Sequence, residues 1–273
     1  MGQLSSQLTL VVSAYHAYSD FLACNIALLQ KYWPDCEVEK ICALDVETDA
    51  MKALLPFFDK VVVDETSVGG KNMLRVQKAL ELVKTPYVLL ILDDFLLYDR
   101  IHNEDLSAMV AFAEAHNAGS ISLIYKNSER QNFNAPSREA PVLKESPADD
   151  PYRISLRSVF WKTEYVKKFA DRYPSPSDFE RLGSTYSLSL PESIYTVVRG
   201  REIYPNLDII QRGKFRLNST AFLRKEGLSY DTDRWPDLTW KDKAVITLRN
   251  RIYLLSPKLV TKLVAKAPWR KKY

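Results

Sequence analysis

The sequence predicts an α/β fold: a mixed, mostly parallel sheet flanked by helices, with a C-terminal helical appendage. Three observations carry this. Short apolar runs alternate with segments of helical period, and that alternation implies strands buried on both faces by helices. The most apolar run in the chain, Tyr87–Leu92, closes on two adjacent acids, Asp93 and Asp94. Four strand-length runs end in polar residues, at Tyr15–His16, Asp45, Asp64 and Asp93–Asp94. In open α/β sheets ligands bind beyond the carboxyl ends of the strands, so these four ends mark one crevice.

The elements follow in order. Leu8–Ser13 is apolar and β-branched, the signature of a buried strand. From Asp20 to Trp33, Phe21, Leu22, Ile26, Leu28 and Leu29 recur as on a helix, and Pro34 ends it. Val38–Leu44 reads as a second strand, Asp49–Phe58 as a short helix and Lys60–Asp64 as a third strand, with Gly69–Gly70 turning the chain. Asn72–Val83 is helical, Pro86 breaks it, and Tyr87–Leu92 is the next strand. A helix over Asn103–Ala115 precedes a strand at Ser120–Tyr125. Residues 126–151 are polar and rich in Ser, Pro and charge, which predicts a long loop. Two helices follow, Lys162–Asp171 and Ser177–Ser187, then late strands at Ile194–Val198 and Leu207–Gln211. The pattern gives a main domain over 1–240 and a basic amphipathic helical tail over 241–273.

Charge is unevenly spread. Residues 241–273 hold ten Lys/Arg and one acid, and with a whole-chain charge of +4 the other 240 residues stand at −5. A basic, apolar-faced tail on an acidic body points to an anionic surface as its partner. Nucleic acid, which calls for basic residues with aromatics placed to stack successive bases, is not the expected partner. Cys24, Cys36 and Cys42 are odd in number and lack metal-site spacing, and read as reduced thiols. The N-terminus has no basic segment leading into an apolar one, and no stretch approaches the ~18 apolar residues that span a bilayer. The expected location is cytoplasmic, peripheral on the inner face of the cell membrane.

Glycine-rich phosphate loops and nucleophile elbows are missing from the sequence, which removes P-loop, dinucleotide-binding and common hydrolase readings. Asp93 and Asp94 remain. Burying an unpaired carboxylate is expensive, so a strand that ends in two of them needs solvent, a partner or a cation. Hard divalent cations prefer carboxylate, water and phosphate oxygens. A solvated strand end with Asp93 capping a turn fits the same residues. Trp161 fits either the core or a platform for stacking a sugar. Asp178 and Glu180 open a helix, where acids are favoured by its dipole; either also fits a general base facing the crevice.

The chain resembles a family of bacterial glycosyltransferases associated with capsule and lipopolysaccharide biosynthesis, of the GT-A type. The resemblance covers most of residues 8–235. Its most specific pieces are KYWPDC at 31–36, the strand ending LDDF at 92–95, and the block from Trp161 to SPSDFE at 175–180. Two departures stand out. Relatives often carry Trp-Ser where this chain has Asn72 and Met73, and Trp where it has Ser177. These bear on the sugar and acceptor more than on the reaction.

The resemblance implies metal-dependent transfer of a sugar from a nucleotide-sugar, with a UDP-sugar as expected donor and Mn²⁺ or Mg²⁺ as cofactor; inversion is expected because a base is available and no second, nucleophilic carboxylate is evident. The acceptor would be a hydroxyl of a glycan or lipid-linked glycan. It assigns Asp93 and Asp94 to the metal and Glu180 to the base, with Asp178 as rival. On the nucleotide side the expected contacts are Tyr15, His16, Asp45 and Asp93, with Lys71 or Arg75 near the diphosphate unless either is simply a solvated helix residue. Trp161 would meet the sugar or acceptor. A nucleotidyltransferase and a non-catalytic sugar-nucleotide-binding or membrane-scaffold protein are the alternatives.

Overall fold

In a computed structural model, the described residues are 3–125, 142–150, 152–198, 200, 202–211, 213–216, 218–231, 233–242, 244, 245, 247 and 248. They form two compact units, Met1–Asp208 and Ile209–Tyr273. The expected boundary at 240 lies inside the second. Most of the predicted tail, and residues 126–141 of the predicted loop, lie outside the described residues.

The first unit opens with α1 (Gln3–Gln7) and β1 (Leu8–Ala14). There follow α2 (Ser19–Tyr32), β2 (Glu39–Leu44), α3 (Asp49–Lys52), β3 (Lys60–Val63), α4 (Met73–Leu82), β4 (Tyr87–Leu92) and β5 (Phe95–Leu97). Its second half holds α5 (Asn103–Ala115), β6 (Ala118–Ser122), β7 (Leu143–Glu145), β8 (Val159–Lys162), α6 (Thr163–Ala170), α7 (Pro176–Tyr186), β9 (Ser193–Val197) and β10 (Asn206–Asp208). Eight strands form one sheet in the order β3-β2-β1-β4-β8-β6-β9-β7. Neighbours run parallel except where β8 meets β4 and β6, and where β7 meets β9. This is the expected mixed, mostly parallel sheet flanked by helices.

The order matters for the site. From β1 the chain builds outward to β2 and β3, then α4 carries it back to β4 on the other side of β1. The direction of winding therefore reverses between β1 and β4, and a crevice opens at their carboxyl ends. Val11, Ile41, Val88, Leu90 and Trp161 share one face of the sheet with buried residues of α4, α6 and α7. The pleat sends alternate residues such as Leu10 to the opposite face, where Leu29 and Trp33 at the end of α2 border the same small cavity.

Several sequence expectations need correction. Asp49–Phe58 is not one helix: α3 stops at Lys52, and Leu55–Phe57 forms a single 3-10 turn. Pro56 lacks an N–H and its ring would clash with the carbonyl four residues back, so an α-helix cannot run through it. The strand read at Ser120–Tyr125 lies at Ala118–Ser122. Leu207–Gln211 is not one strand either. Asn206–Asp208 pairs with β5, while β11 (Ile210–Gln211) pairs with β12 (Lys214–Phe215) in the second unit. Part of the expected long loop is ordered as β7, which extends the sheet beside β9. Trp161 is entirely buried, against Tyr165, Phe169 and Phe179 at ring separations of about 6 Å. No face of it is open to a sugar, and its role is packing.

In the second unit, Asn218 enters α8 (Ser219–Lys225) in the left-handed region at φ 70°. Phe215 packs edge-on against Tyr230 at 5.1 Å.

A close approach in the first unit makes a test. A Cβ added to Gly119 would lie 2.7 Å from ring carbons of buried Tyr165. Tyr165 is fixed between Trp161 and Phe169 and has nowhere to go. Gly119→Ala should therefore destabilise the protein by about 1–3 kcal/mol, read as a lower urea midpoint.

Candidate active site

The crevice is built where β1, β2 and β4 end side by side. Ala14 is paired with Leu44, and Ser13 with Leu92. The residues that follow each strand therefore meet. As the chain leaves β1, its amides leave the ladder and need new acceptors. The N–H of Tyr15 donates to Asp93 Oδ2 at 2.7 Å, and that of His16 to Asp45 Oδ1 at 2.7 Å. Asp45 Oδ2 also lies 2.8 Å from His16 Nδ1. Two carboxylates from neighbouring strands thus clamp consecutive amides of the first.

Both carboxylates are buried. Desolvation pushes the Asp93 carboxyl well above the usual carboxylate range, opposed by the Tyr15 N–H and the Arg75 guanidinium and reinforced by Asp45. Arg75, in α4, is 2% exposed and donates from Nε to Ser13 Oγ at 3.1 Å. Burial lowers its pKa, while Asp93 and Asp45 favour its charge. It is the cation under the clamp, not a solvated helix residue. Lys71, by contrast, is exposed in the turn before α4.

Asp93 and Asp94 form the turn between β4 and β5. Asp94 is half-buried where Asp93 is closed in. Beside them stands Tyr18, whose phenol is pushed up first by burial, then by Asp94 and Asp93, with smaller contributions from Tyr15 and Asp208. Asp208 sits opposite Phe95 across the β10–β5 pair. Sequence reasoning missed it, since Leu207–Gln211 read as one undistinguished strand.

It also missed Asn25. This buried residue of α2 donates from Nδ2 to the carbonyls of Asp93, at 3.3 Å, and Phe95, at 3.0 Å. It fastens the acidic turn from behind. The signal was present: Asn25 is the one amide among the apolar residues from Phe21 to Leu29.

Of the expected nucleotide contacts, Tyr15 and His16 are half-exposed at the crevice. Asp45 requires correction. Its side chain is fully buried and both oxygens are engaged by His16, so it positions His16 and does not itself meet a ligand. Asp64, the remaining strand-end acid, is occupied too: Oδ1 accepts from Thr66 and from Lys78 Nζ at 2.9 Å.

Glu180 approaches from α7. Its Oε1 accepts the N–H of Leu156 at 3.0 Å. Because β8 runs antiparallel to β4, with Val159 opposite Leu90, the segment before Val159 leads to the same edge as Asp93. Asp178 lies in the first turn of α7, its amide capped by Ser175 Oγ at 3.1 Å.

Among the described residues, no three His, Cys, Asp or Glu side chains group closely enough to hold a metal unaided. The donor set does fit a divalent cation that takes one or two carboxylates and completes its shell with water and substrate phosphate.

No family model and no curated protein matches the chain. Solved structures resemble it in outline. TarS from S. aureus has a TM-score of 0.48 at 18% identity, covering 70% of this chain and 36% of its own. A mannosyltransferase from Pyrobaculum calidifontis, in complex with GDP-Man and Mn²⁺, has 0.49 at 13%, covering 77% and 59%. A CMP:2-keto-3-deoxy-manno-octonic acid synthetase in complex with CTP has 0.42 at 13%, covering 70% and 89%. The chain thus spans little more than a third of TarS, and 60% of the shorter TarS piece 1–349. At these scores the likenesses do not bear on what the chain does.

The Asn25 contacts give a test at this site. Asn25→Ala removes a donor from two buried carbonyls, which costs about 1–3 kcal/mol. Asn25→Asp should cost at least as much, since it turns an acceptor towards them. Both are read from chemical denaturation, and wild-type stability in either would mean the turn holds itself.

Proposed function

We propose that the chain transfers a sugar from a nucleotide-sugar, with a UDP-sugar as first candidate, to a hydroxyl of a glycan or lipid-linked acceptor in cell-surface polysaccharide biosynthesis. The observation that carries this reading is the convergence of Asp93, Asp94, Tyr15, His16 and Arg75 at the switch point of the sheet. A diphosphate-bearing ligand meets there both the acids a divalent cation needs and a buried positive charge.

In this reading Asp94 holds Mn²⁺ or Mg²⁺, with Asp93 behind it. When bound, the cation neutralises charge on the diphosphate leaving group. Tyr15 and His16, fixed by the clamp, border the nucleotide. Arg75 adds positive potential from beneath, and Lys71 from the exposed turn. Glu180 accepts the proton of the acceptor hydroxyl as it attacks. Attack from the side opposite the diphosphate inverts the anomeric carbon. Asp178 is the rival base, two residues away and so roughly 200° around the helix.

The first test is binding. Among nucleotide-sugars with Mn²⁺, the true donor at 100 times its dissociation constant should add roughly 2.7 kcal/mol of stability. Asp94→Ala should erase the metal-dependent part and abolish turnover while the fold survives. Full activity in both Asp93→Ala and Asp94→Ala would move the metal elsewhere.

A second test concerns the base. Gln at 180 still accepts the Leu156 N–H, so Glu180→Gln isolates the proton-transfer role. It should lower the turnover number about 10²- to 10⁴-fold with donor affinity near wild type. The same loss in Asp178→Asn, without it in Glu180→Gln, would reassign the base.

A further inference from the structure

The second unit ends its described part in a helical segment with an unusual outward face. Thr239 and Asp242 form a reciprocal cap: Thr239 N donates to Asp242 Oδ2 at 2.9 Å, and Asp242 N to Thr239 Oγ1 at 3.2 Å. This starts a helix at Trp240, and residues 240–242, 244, 245, 247 and 248 are helical. Asp242 Oδ2 also accepts from Lys214 Nζ at 2.8 Å, which fixes the rotation of the helix against β12. At 100° per residue, Trp240, Ala244, Leu248 and Val245 fall within one arc of about 140°, and Asp242 lies outside it. Trp240, Val245 and Leu248 are correspondingly 74%, 57% and 61% exposed.

Such an arc is costly in water, and its chemistry points to one partner. Lys241 lies inside it, its Nζ 5.6 Å from the Trp240 ring. A lysine beside a tryptophan suits a bilayer interface, where the indole sits at the headgroups and the ammonium reaches lipid phosphate. The sequence from 241 to 273 adds nine further Lys/Arg against one acid. A second protein core would not select such charge, whereas an anionic leaflet does.

We infer that Trp240, Val245 and Leu248 form an insertion face that docks the chain on an anionic lipid surface, with Lys241 beside them at the headgroups. No helix among the described residues is long and apolar enough to cross a membrane. The inference does not depend on the proposed chemistry; a chain without transferase activity would bind equally.

The test uses the full chain and vesicles of phosphatidylcholine with or without phosphatidylglycerol. Wild type should float with the anionic vesicles, and less so in high salt. The triple variant Trp240→Ala, Val245→Ala, Leu248→Ala should partition at least about tenfold less, since burying each such side chain is worth on the order of tenfold in affinity. All three residues are exposed, so an unchanged melting temperature verifies that the variant is folded. Equal flotation of wild type and variant, equal binding to neutral vesicles, or no binding at all would overturn the inference. So would a dimer in light scattering that the triple variant dissolves while vesicles capture neither, for the arc would then serve a second copy.

Discussion

The geometry of the crevice depends on one interaction: two buried carboxylates holding two consecutive amides. Tyr15 and His16 leave the end of β1 with unsatisfied N–H groups, and Asp93 and Asp45 accept them. Because the acceptors come from β4 and β2, the strands on either side of β1, the clamp ties three chain segments at one edge. An isolated buried carboxylate would be expelled or neutralised. Here the amides and the Arg75 charge offset that penalty in part, and the upward shift of Asp93 is the portion left over. Weakening any member thus loosens the turn that carries Asp94.

Much of this fold was legible, for a definite reason. β1, β2 and β4 are runs of six or seven residues whose apolar content needs two covered faces. Their polar ends follow from the same logic, since a parallel sheet buries its middle and opens at its edge. What failed was short or set by distant neighbours. β8 has four residues and passes into α6 at Thr163 without a turn, so it carries too little pattern of its own to read as a strand. Its antiparallel direction is fixed by β4 and β6 together. β5 and β10 have three residues each and exist only as a pair.

The site was legible unevenly. Acids at strand ends announce themselves because packing has no use for them. Whether such an acid touches ligand or holds another residue is invisible until its neighbours are known, and that is why Asp45 was misread. Arg75 shows the intermediate case. It lies four residues before Ala79 and eight before Val83, both buried, at the margin of the stripe α4 turns to the sheet. A charge on that margin is either solvated or buried against acids, and the sequence separates those outcomes only through the carboxylates of other strands.

Adjacent in the same turn, Asp93 and Asp94 divide their work. Asp93 spends an oxygen on Tyr15 and sits closed in; Asp94 stays half-open. Together with Asp208 they press on the Tyr18 phenol. Arg75, hydrogen-bonded to Ser13, has its charge favoured by Asp93 and Asp45. Under the proposed reading, cation and donor must bind cooperatively, each raising the affinity of the other by the same factor. On that reading the carboxylates of this turn would make donor binding depend on metal.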